Sequence, residues 1–303
     1  MKKVHFIVGP TASGKTFLSQ LIAEQLKIEI VSADSRQIYR YLDIGTAKPD
    51  AAFRAQVPHH FIDICDPDEY YSAGIFGRQA RQAIGKIFAR NATPLVVGGS
   101  GLYIKALVDG IFELDAKSES VRERLERQLT EKGLPDLFQW LREVDPRYAN
   151  KISSNDRQRI LRALEVFLVT GKPFSYFHQK KPQSADFVPV FWGLELERNL
   201  LYQRIDRRAE QMLDEGLLEE VRQVLAKGYH PDLNALNTVG YKEAIEYIQE
   251  KISYQIMLER IQRNTRRYAK RQLTWFRADP RVHWVEVTLK EDYQLLSRKI
   301  ITA

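Results

Sequence analysis

A chain of 303 residues, 44% of them apolar, has enough material for one large or two modest cores, which excludes a disordered chain. Its single cysteine, Cys65, excludes an internal disulfide and a zinc site built on a cysteine cluster. The formal net charge of +7 and the isoelectric point near 9.3 permit a polyanionic partner without requiring one, so the placement of the cations must decide.

The apolar run Val4–Val8 predicts a buried first strand. Because that run stops at Gly9 and Pro10, it does not read as a secretion signal. No stretch reaches the roughly 20 apolar residues that span a bilayer, so a cytoplasmic protein with no membrane contact is expected. Gly9–Thr16 reads GPTASGKT, a G-x-x-x-x-G-K-T phosphate loop, and a helical pattern follows with Leu18, Leu21, Ile22, Gln25 and Leu26. Between a strand and a helix, Gly9, Pro10, Thr11, Ala12, Ser13 and Gly14 can turn backbone N–H groups onto an anion at the helix N-terminus. Lys15 would reach the terminal phosphate, and the Thr16 hydroxyl would face a magnesium ion. A polyphosphate or diphosphate ligand is therefore expected.

The second strand, Ile28–Ala33, delivers Asp34 to a strand's carboxyl end, the edge that lines the ligand crevice of an open α/β sheet. A carboxylate there can take a proton from an acceptor hydroxyl or amine, and Ser35, Arg36 and Gln37 add groups suited to a base or a phosphate. The competing role for Asp34 is to cap the next helix. A third strand is expected at His60–Ile64, where the adjacent His59 and His60 suit hydrogen bonding or substrate lining better than a metal. A helix is expected over Gly74–Arg90. The fourth strand, Pro94–Gly99, ends in glycines where hydrolytic phosphate-loop proteins place a magnesium-binding Asp, so Ser100 beyond it points to substrate binding and group transfer. A plain tight turn is the alternative there.

From Asp115 to Asp186 helical periodicity replaces strand signals, with Gly133 and Gly171 as stops. Within this stretch a helix is expected over Asp156–Thr170, with Ile160, Leu161, Leu164 and Phe167 inward and Arg159 and Arg162 projecting together, either toward a ligand or into salt bridges. Val188–Leu196 reads as a strand again. Arg204, Arg207 and Arg208 at the start of a helix are matched in geometry to a diphosphate. Between Arg260 and Arg277 no acidic residue interrupts seven cations; Arg260, Arg263, Arg266, Arg267, Lys270 and Arg271 share one helical arc, opposite Ile261, Thr265, Tyr268, Gln272 and Trp275. Such a stripe is either a solvated face or a nucleic-acid surface. Val282–Val287 would close the sheet. The expected architecture is α/β: a phosphate-loop NTPase-like parallel sheet flanked by helices, residues 1–114 with 187–303, carrying an all-helical insertion over 115–186.

GPTASGKT, SADSRQIYRYLDIGTAKP, VPHHFIDI, VGGSGLY, NDRQRILRALEVF, TVGYKEAIEY and RRYAKRQLTWFR occur in that order. Together they are similar to the tRNA dimethylallyltransferases (tRNA isopentenyltransferases) over nearly the whole chain. The resemblance implies transfer of a dimethylallyl group from dimethylallyl diphosphate to N6 of the adenosine 3′-adjacent to the anticodon, with release of diphosphate. It implies Asp34 as the base, Ser100 at the reacting centre, Lys15 and Arg208 on the diphosphate, and Mg2+ as cofactor. It further implies a tRNA anticodon stem-loop bound by Asp34, Ser35, Arg36, Gln37, Ser100, Arg122, Gln158, Arg159, Ile160, Leu161, Arg162, Lys242, Arg267, Lys270, Arg271 and Gln272, on a monomer. Two departures stand out: Ser100 replaces the threonine common in the family, and the zinc finger of eukaryotic relatives has no counterpart, as in the bacterial form. The competing readings from the residues alone are a small-molecule or nucleotide kinase and a non-catalytic, nucleotide-sensing RNA-binding protein.

Overall fold

Six strands, paired in parallel throughout, form one sheet in the computed structural model, which describes residues 2–111, 118–177 and 183–303. They are β1 (Lys3–Val8), β2 (Ile28–Ser32), β3 (His59–His60), β4 (Thr93–Gly98), β5 (Val188–Glu195) and β6 (Val282–Glu286), in the order β3-β2-β4-β1-β5-β6. Parallel strands covered on both faces read as continuous apolar runs, and Val4, Phe6, Ile7 and Val8 of β1 are accordingly fully buried. Registers Val8↔Gly98 and Ser32↔Val97 bring the carboxyl ends of β1, β4 and β2 to one edge. The chain leaves β1 toward β2 on one side and continues beyond β5 on the other, so this edge is where the winding reverses and a ligand crevice opens.

The expected third strand shortens to His59–His60. Phe61 (φ 68°) and Asp63 (φ 56°) adopt left-handed backbone, and Asp63 is drawn aside by Lys48 and Arg54, so Phe61–Ile64 turns instead of extending.

The chain divides into two compact units, Met1–Asp109 with Ser184–Ala303, and Gly110–Gln183. The insertion's expected entry at 114/115 lies outside the described residues. In the first unit, α1 (Lys15–Ala23), α2 (Ala51–Gln56), α3 (Ala73–Ala89) and α4 (Gly101–Val108) follow β1 through β4. In the second, α5 (Glu119–Val144) is broken at Gly133 (φ 83°), and α6 (Pro146–Ala149), α7 (Arg157–Thr170) and α8 (Phe174–Phe177) follow. Asp156 caps α7 by accepting from the Arg159 N–H (3.1 Å), and Gly171 ends it in left-handed conformation (φ 68°). Leu125, Leu137, Leu141, Ile160, Leu161 and Leu164 form this unit's own core. Back in the first unit come α9 (Arg198–Asp214), α10 (Leu217–Ala226), α11 (Tyr241–Ile248), α12 (Tyr254–Arg277) and α13 (Lys290–Thr302).

Strand alternation assigns Ile7, Leu95, Trp192 and Leu194 to one sheet face, where they pack with Leu18 and Ile22 of α1 and Tyr293 and Leu296 of α13. That core fixes the start of α1, and with it the phosphate loop, against the carboxyl end of β1.

Candidate functional site

The loop from Gly9 to Thr16 is built to receive an anion. Gly14 (φ 83°) is the N-cap of α1 with no side-chain cap, and no acidic residue occupies the first turn, so the helix's leading N–H groups face outward unpaired. A side chain at position 14 cannot be accommodated, because its Cβ would lie 2.6 Å from the Tyr293 hydroxyl. That hydroxyl donates to the Ser13 carbonyl (3.0 Å) and accepts from Arg204 (2.9 Å), clamping the loop from α13 and α9. The Ser13 hydroxyl is buried with no hydrogen-bond partner among the described residues, a donor that a phosphate oxygen would satisfy.

Two cations converge on the loop. The Lys15 ammonium donates to the carbonyls of Gly9 (3.1 Å) and Pro10 (2.6 Å), and Arg208 reaches the Thr11 hydroxyl (3.4 Å). Burial, then the Arg208 charge, pushes Lys15 down to about 7, while Asp34 opposes the shift. Burial also lowers Arg208, with Asp34 and Glu215 opposing. A diphosphate would relieve both groups. The helix begins at Arg198 and not at Arg204; of Arg204, Arg207 and Arg208, it is Arg208 that joins the loop, while Arg204 is turned toward Tyr293 and the Thr288 carbonyl and Arg207 is exposed. The Thr16 hydroxyl is exposed in the first turn of α1 and makes no hydrogen bond among the described residues, which fits an oxygen-seeking cation shared with a diphosphate.

Asp34 closes a turn where the sequence suggested a helix cap, and it keeps one carboxylate oxygen unengaged. Its Oδ1 accepts from the Arg36 N–H (2.8 Å) and the Gln37 N–H (3.4 Å), closing a turn, while Oδ2 takes no hydrogen bond among the described residues. Its charge is felt by Lys15, Arg208, Tyr103 and Tyr268, so it stands at the centre of the crevice. Ser100, buried at the end of β4, braces this turn: its Oγ accepts from the Ser35 N–H (3.0 Å) and donates to the Ser35 hydroxyl (3.3 Å), and its N–H donates to the Ala33 carbonyl (3.1 Å). Tyr268 of α12, placed by the sequence on a merely packing face, stands beside Ser100, and burial followed by the Asp34 charge pushes its phenol up to about 12.

Several residues expected to meet RNA already have partners within the protein. Gln37 accepts from the Ser32 hydroxyl (3.0 Å) and donates to the carbonyls of Thr46 (3.3 Å) and Ala47 (3.1 Å), leaving its amide satisfied internally. Arg36 donates to the Asn234 carbonyl (2.6 Å). Gln272 is 5% exposed and bonded inside the first unit. In the second unit Ile160 and Leu161 belong to the core, and Arg162 bonds the buried Glu165 (2.7 Å). Arg159, exposed, lies 3.4 Å from Asp156, and Arg122 and Gln158 are exposed. Lys242 is exposed in the first turn of α11.

The cationic stripe on α12 is partly compensated, by carboxylates distant in sequence. Arg260 pairs with Glu246 (2.6 Å), Arg266 with Asp206 and Arg277 with Glu195. Arg267, Lys270 and Arg271 remain exposed without an ion pair among the described residues, and with Thr274 and Trp275 they line an open groove of about 410 Å³. Trp275, expected on the packing side, is 42% exposed, a ring available for base stacking beside cations. His60 bonds Glu29 (2.7 Å) and His59 bonds the Val57 carbonyl (2.7 Å); among the described residues no three His, Cys, Asp or Glu side chains gather around a metal position.

The IPP transferase family profile matches residues 37–279, and the isopentenyl transferase profile matches residues 2–63. A tRNA dimethylallyltransferase of Carboxydothermus hydrogenoformans is 44% identical over 303 residues, 99% of this chain and 97% of its own length. One from Geobacter sulfurreducens is 46% identical over 286 residues, 94% of this chain and 92% of its own. The full-length tRNA isopentenylpyrophosphate transferase of Bacillus halodurans superposes with a TM-score of 0.73 at 37% identity, covering 100% of this chain and 96% of that one. A eukaryotic dimethylallyltransferase, solved acting on tRNA, superposes with a TM-score of 0.82 at 29% identity over 99% of this chain and 78% of that one.

Proposed function

Because the chain belongs to the IPP transferase family, we propose that it transfers a dimethylallyl group from dimethylallyl diphosphate to N6 of the adenosine 3′-adjacent to the tRNA anticodon. The observation that carries this reading is one crevice with two complementary ends. At one end Lys15, Arg208, the unpaired Ser13 hydroxyl and the start of α1 suit a leaving diphosphate; at the other the free Oδ2 of Asp34 suits an acceptor proton.

The adenine amine is conjugated with its ring and is a weak nucleophile. Bond formation from N6 to the allylic carbon therefore needs help from the departing side as the carbon–oxygen bond breaks. Charge growing on the diphosphate is met by Lys15 and Arg208 and by the N–H groups of the loop, all in place before reaction. Asp34 accepts the proton that the new secondary amine sheds, which leaves modified RNA, diphosphate and a protonated carboxyl that discharges to solvent. The adenine must leave its stack to reach this depth, and the exposed Arg267, Lys270 and Arg271 beside Trp275 suit holding the surrounding RNA while it does.

A magnesium ion is proposed as cofactor at Thr16, where it would add positive charge to the diphosphate oxygens. A monomer at work in the cytoplasm is also proposed; among the described residues no helix is long and apolar enough to cross a membrane. The strand end at Gly98 offers no carboxylate for a nucleotide-bound metal, which disfavours a kinase. Incubating the protein with labelled dimethylallyl diphosphate and unmodified tRNA, beside labelled ATP with candidate acceptors, tests the reading. Label in RNA from the prenyl donor alone is expected, and label from ATP alone would replace this reading with the kinase.

A further inference from the structure

We propose that Gln272 is a positioning residue for the transfer, holding the phosphate loop and the Ser100 loop at a fixed separation; this rests on the transferase reading above. Its side chain crosses between the two halves of the crevice. Oε1 accepts from the Thr11 N–H (2.8 Å), and Nε2 donates to the Gly99 carbonyl (3.0 Å). The assignment of oxygen and nitrogen follows from the partners, since an N–H needs an acceptor and a carbonyl needs a donor. Among uncharged side chains of this length, glutamine supplies both.

What lies at either end makes the bridge functional as well as structural. Thr11 also receives Arg208 (3.4 Å), the cation assigned to the diphosphate. Gly99 precedes Ser100, whose Oγ accepts from the Ser35 N–H (3.0 Å) next to Asp34. A continuous run of contacts therefore joins the leaving-group end to the base, and Gln272 is its middle member. The fit is tight, because a Cβ on Gly99 would lie 2.0 Å from Nε2. Four residues earlier on the same face of α12, Tyr268 stands beside Ser100, while the outward face presents Arg267, Lys270 and Arg271. The helix that offers cations to RNA thus also spaces the two reacting partners. Attack on the allylic carbon requires the amine in line with the breaking bond, and a displacement of about 1 Å can cost roughly 100-fold in rate.

Gln272→Met keeps the volume of the side chain and removes both hydrogen bonds. On a preloaded complex of protein, dimethylallyl diphosphate and an anticodon stem-loop, its single-turnover rate is expected to fall about 10- to 100-fold, with the Kd of each substrate within about threefold of the unsubstituted protein. Gln272→Glu keeps the acceptor for Thr11 and, when ionised, repels the Gly99 carbonyl. Protonated, it donates to that carbonyl, so its rate relative to the unsubstituted protein should rise as pH falls from about 8 to about 6, the range into which burial lifts a carboxyl group. A Gln272→Met rate within about threefold of normal, or a loss appearing equally in a substrate's Kd, overturns the proposal. If circular dichroism finds Gln272→Met unfolded, the Gln272→Glu ratio decides, and a flat ratio overturns the proposal. Unsubstituted protein that transfers nothing sinks the transferase reading, and this proposal with it.

Discussion

Replacing Asp34 with asparagine isolates proton acceptance from every other task that residue performs. The amide oxygen of asparagine can still accept from the Arg36 and Gln37 N–H groups, the bonds of 2.8 and 3.4 Å that close the turn. The turn should therefore survive, whereas Asp34→Ala loses it as well and should cost about 1 kcal/mol more in stability. What asparagine cannot supply is the free Oδ2, so the transfer step should slow by about 100- to 10,000-fold, the usual span for loss of a general base. Donor binding should move little or tighten, because a negative charge beside the diphosphate has been removed. Single-turnover transfer of labelled dimethylallyl to an anticodon stem-loop gives the rate, and fluorescence titration gives both affinities. An Asp34→Asn rate within about threefold of normal refutes the base assignment. A large loss confined to Asp34→Ala would instead show that the turn alone matters.

In the free protein Lys15 loses its proton near pH 7, and a bound diphosphate favours the charged form. Donor affinity should therefore fall as pH rises above 7, by up to about tenfold per unit, and Lys15→Ala should bind more weakly with that dependence gone; calorimetric titration across this range checks it, and a flat profile in the unsubstituted protein contradicts it. Ser100→Ala leaves the Ser35 N–H without its partner and should lower both rate and melting temperature, at about 1–3 kcal/mol in stability, while Ser100→Thr keeps the hydroxyl and activity; alanine matching the unsubstituted protein would reduce Ser100 to part of a turn. Changing Arg267, Lys270 and Arg271 together to glutamine should weaken stem-loop binding and reduce its salt slope by about 0.7–0.9 for each phosphate that is no longer neutralised, with donor affinity intact. An unchanged slope would make that stripe a solvated face.

The phosphate loop was legible because its chemistry is local: glycines, Lys15 and Thr16 act within eight consecutive residues between a strand and a helix. The sheet was legible for the same reason, each buried strand being a short apolar run bounded by turn residues. Gln272 and Tyr268 do face inward as their helical spacing implies, but spacing gives the face of α12 and not what that face meets; the partners of Gln272 at Thr11 and Gly99 are far away in sequence. The stripe looked uncompensated for the same reason, since Glu246, Asp206 and Glu195 come from other elements. His60–Ile64 has strand composition but turns after His60, because Asp63 answers to Lys48 and Arg54, which no run of side-chain types reveals. In the second unit Ile160 and Leu161 fell inside a motif associated with RNA, yet the apolar periodicity already marked them as core.

Mass spectrometry of nucleosides from tRNA treated with the protein and dimethylallyl diphosphate tests the central claim most directly. The account predicts one five-carbon isoprene unit added at N6 of the adenosine 3′-adjacent to the anticodon, dependent on Asp34, with one diphosphate released for each adenosine modified. Unmodified adenosine in the presence of folded protein and both substrates, or the group attached at another nucleotide, would contradict it.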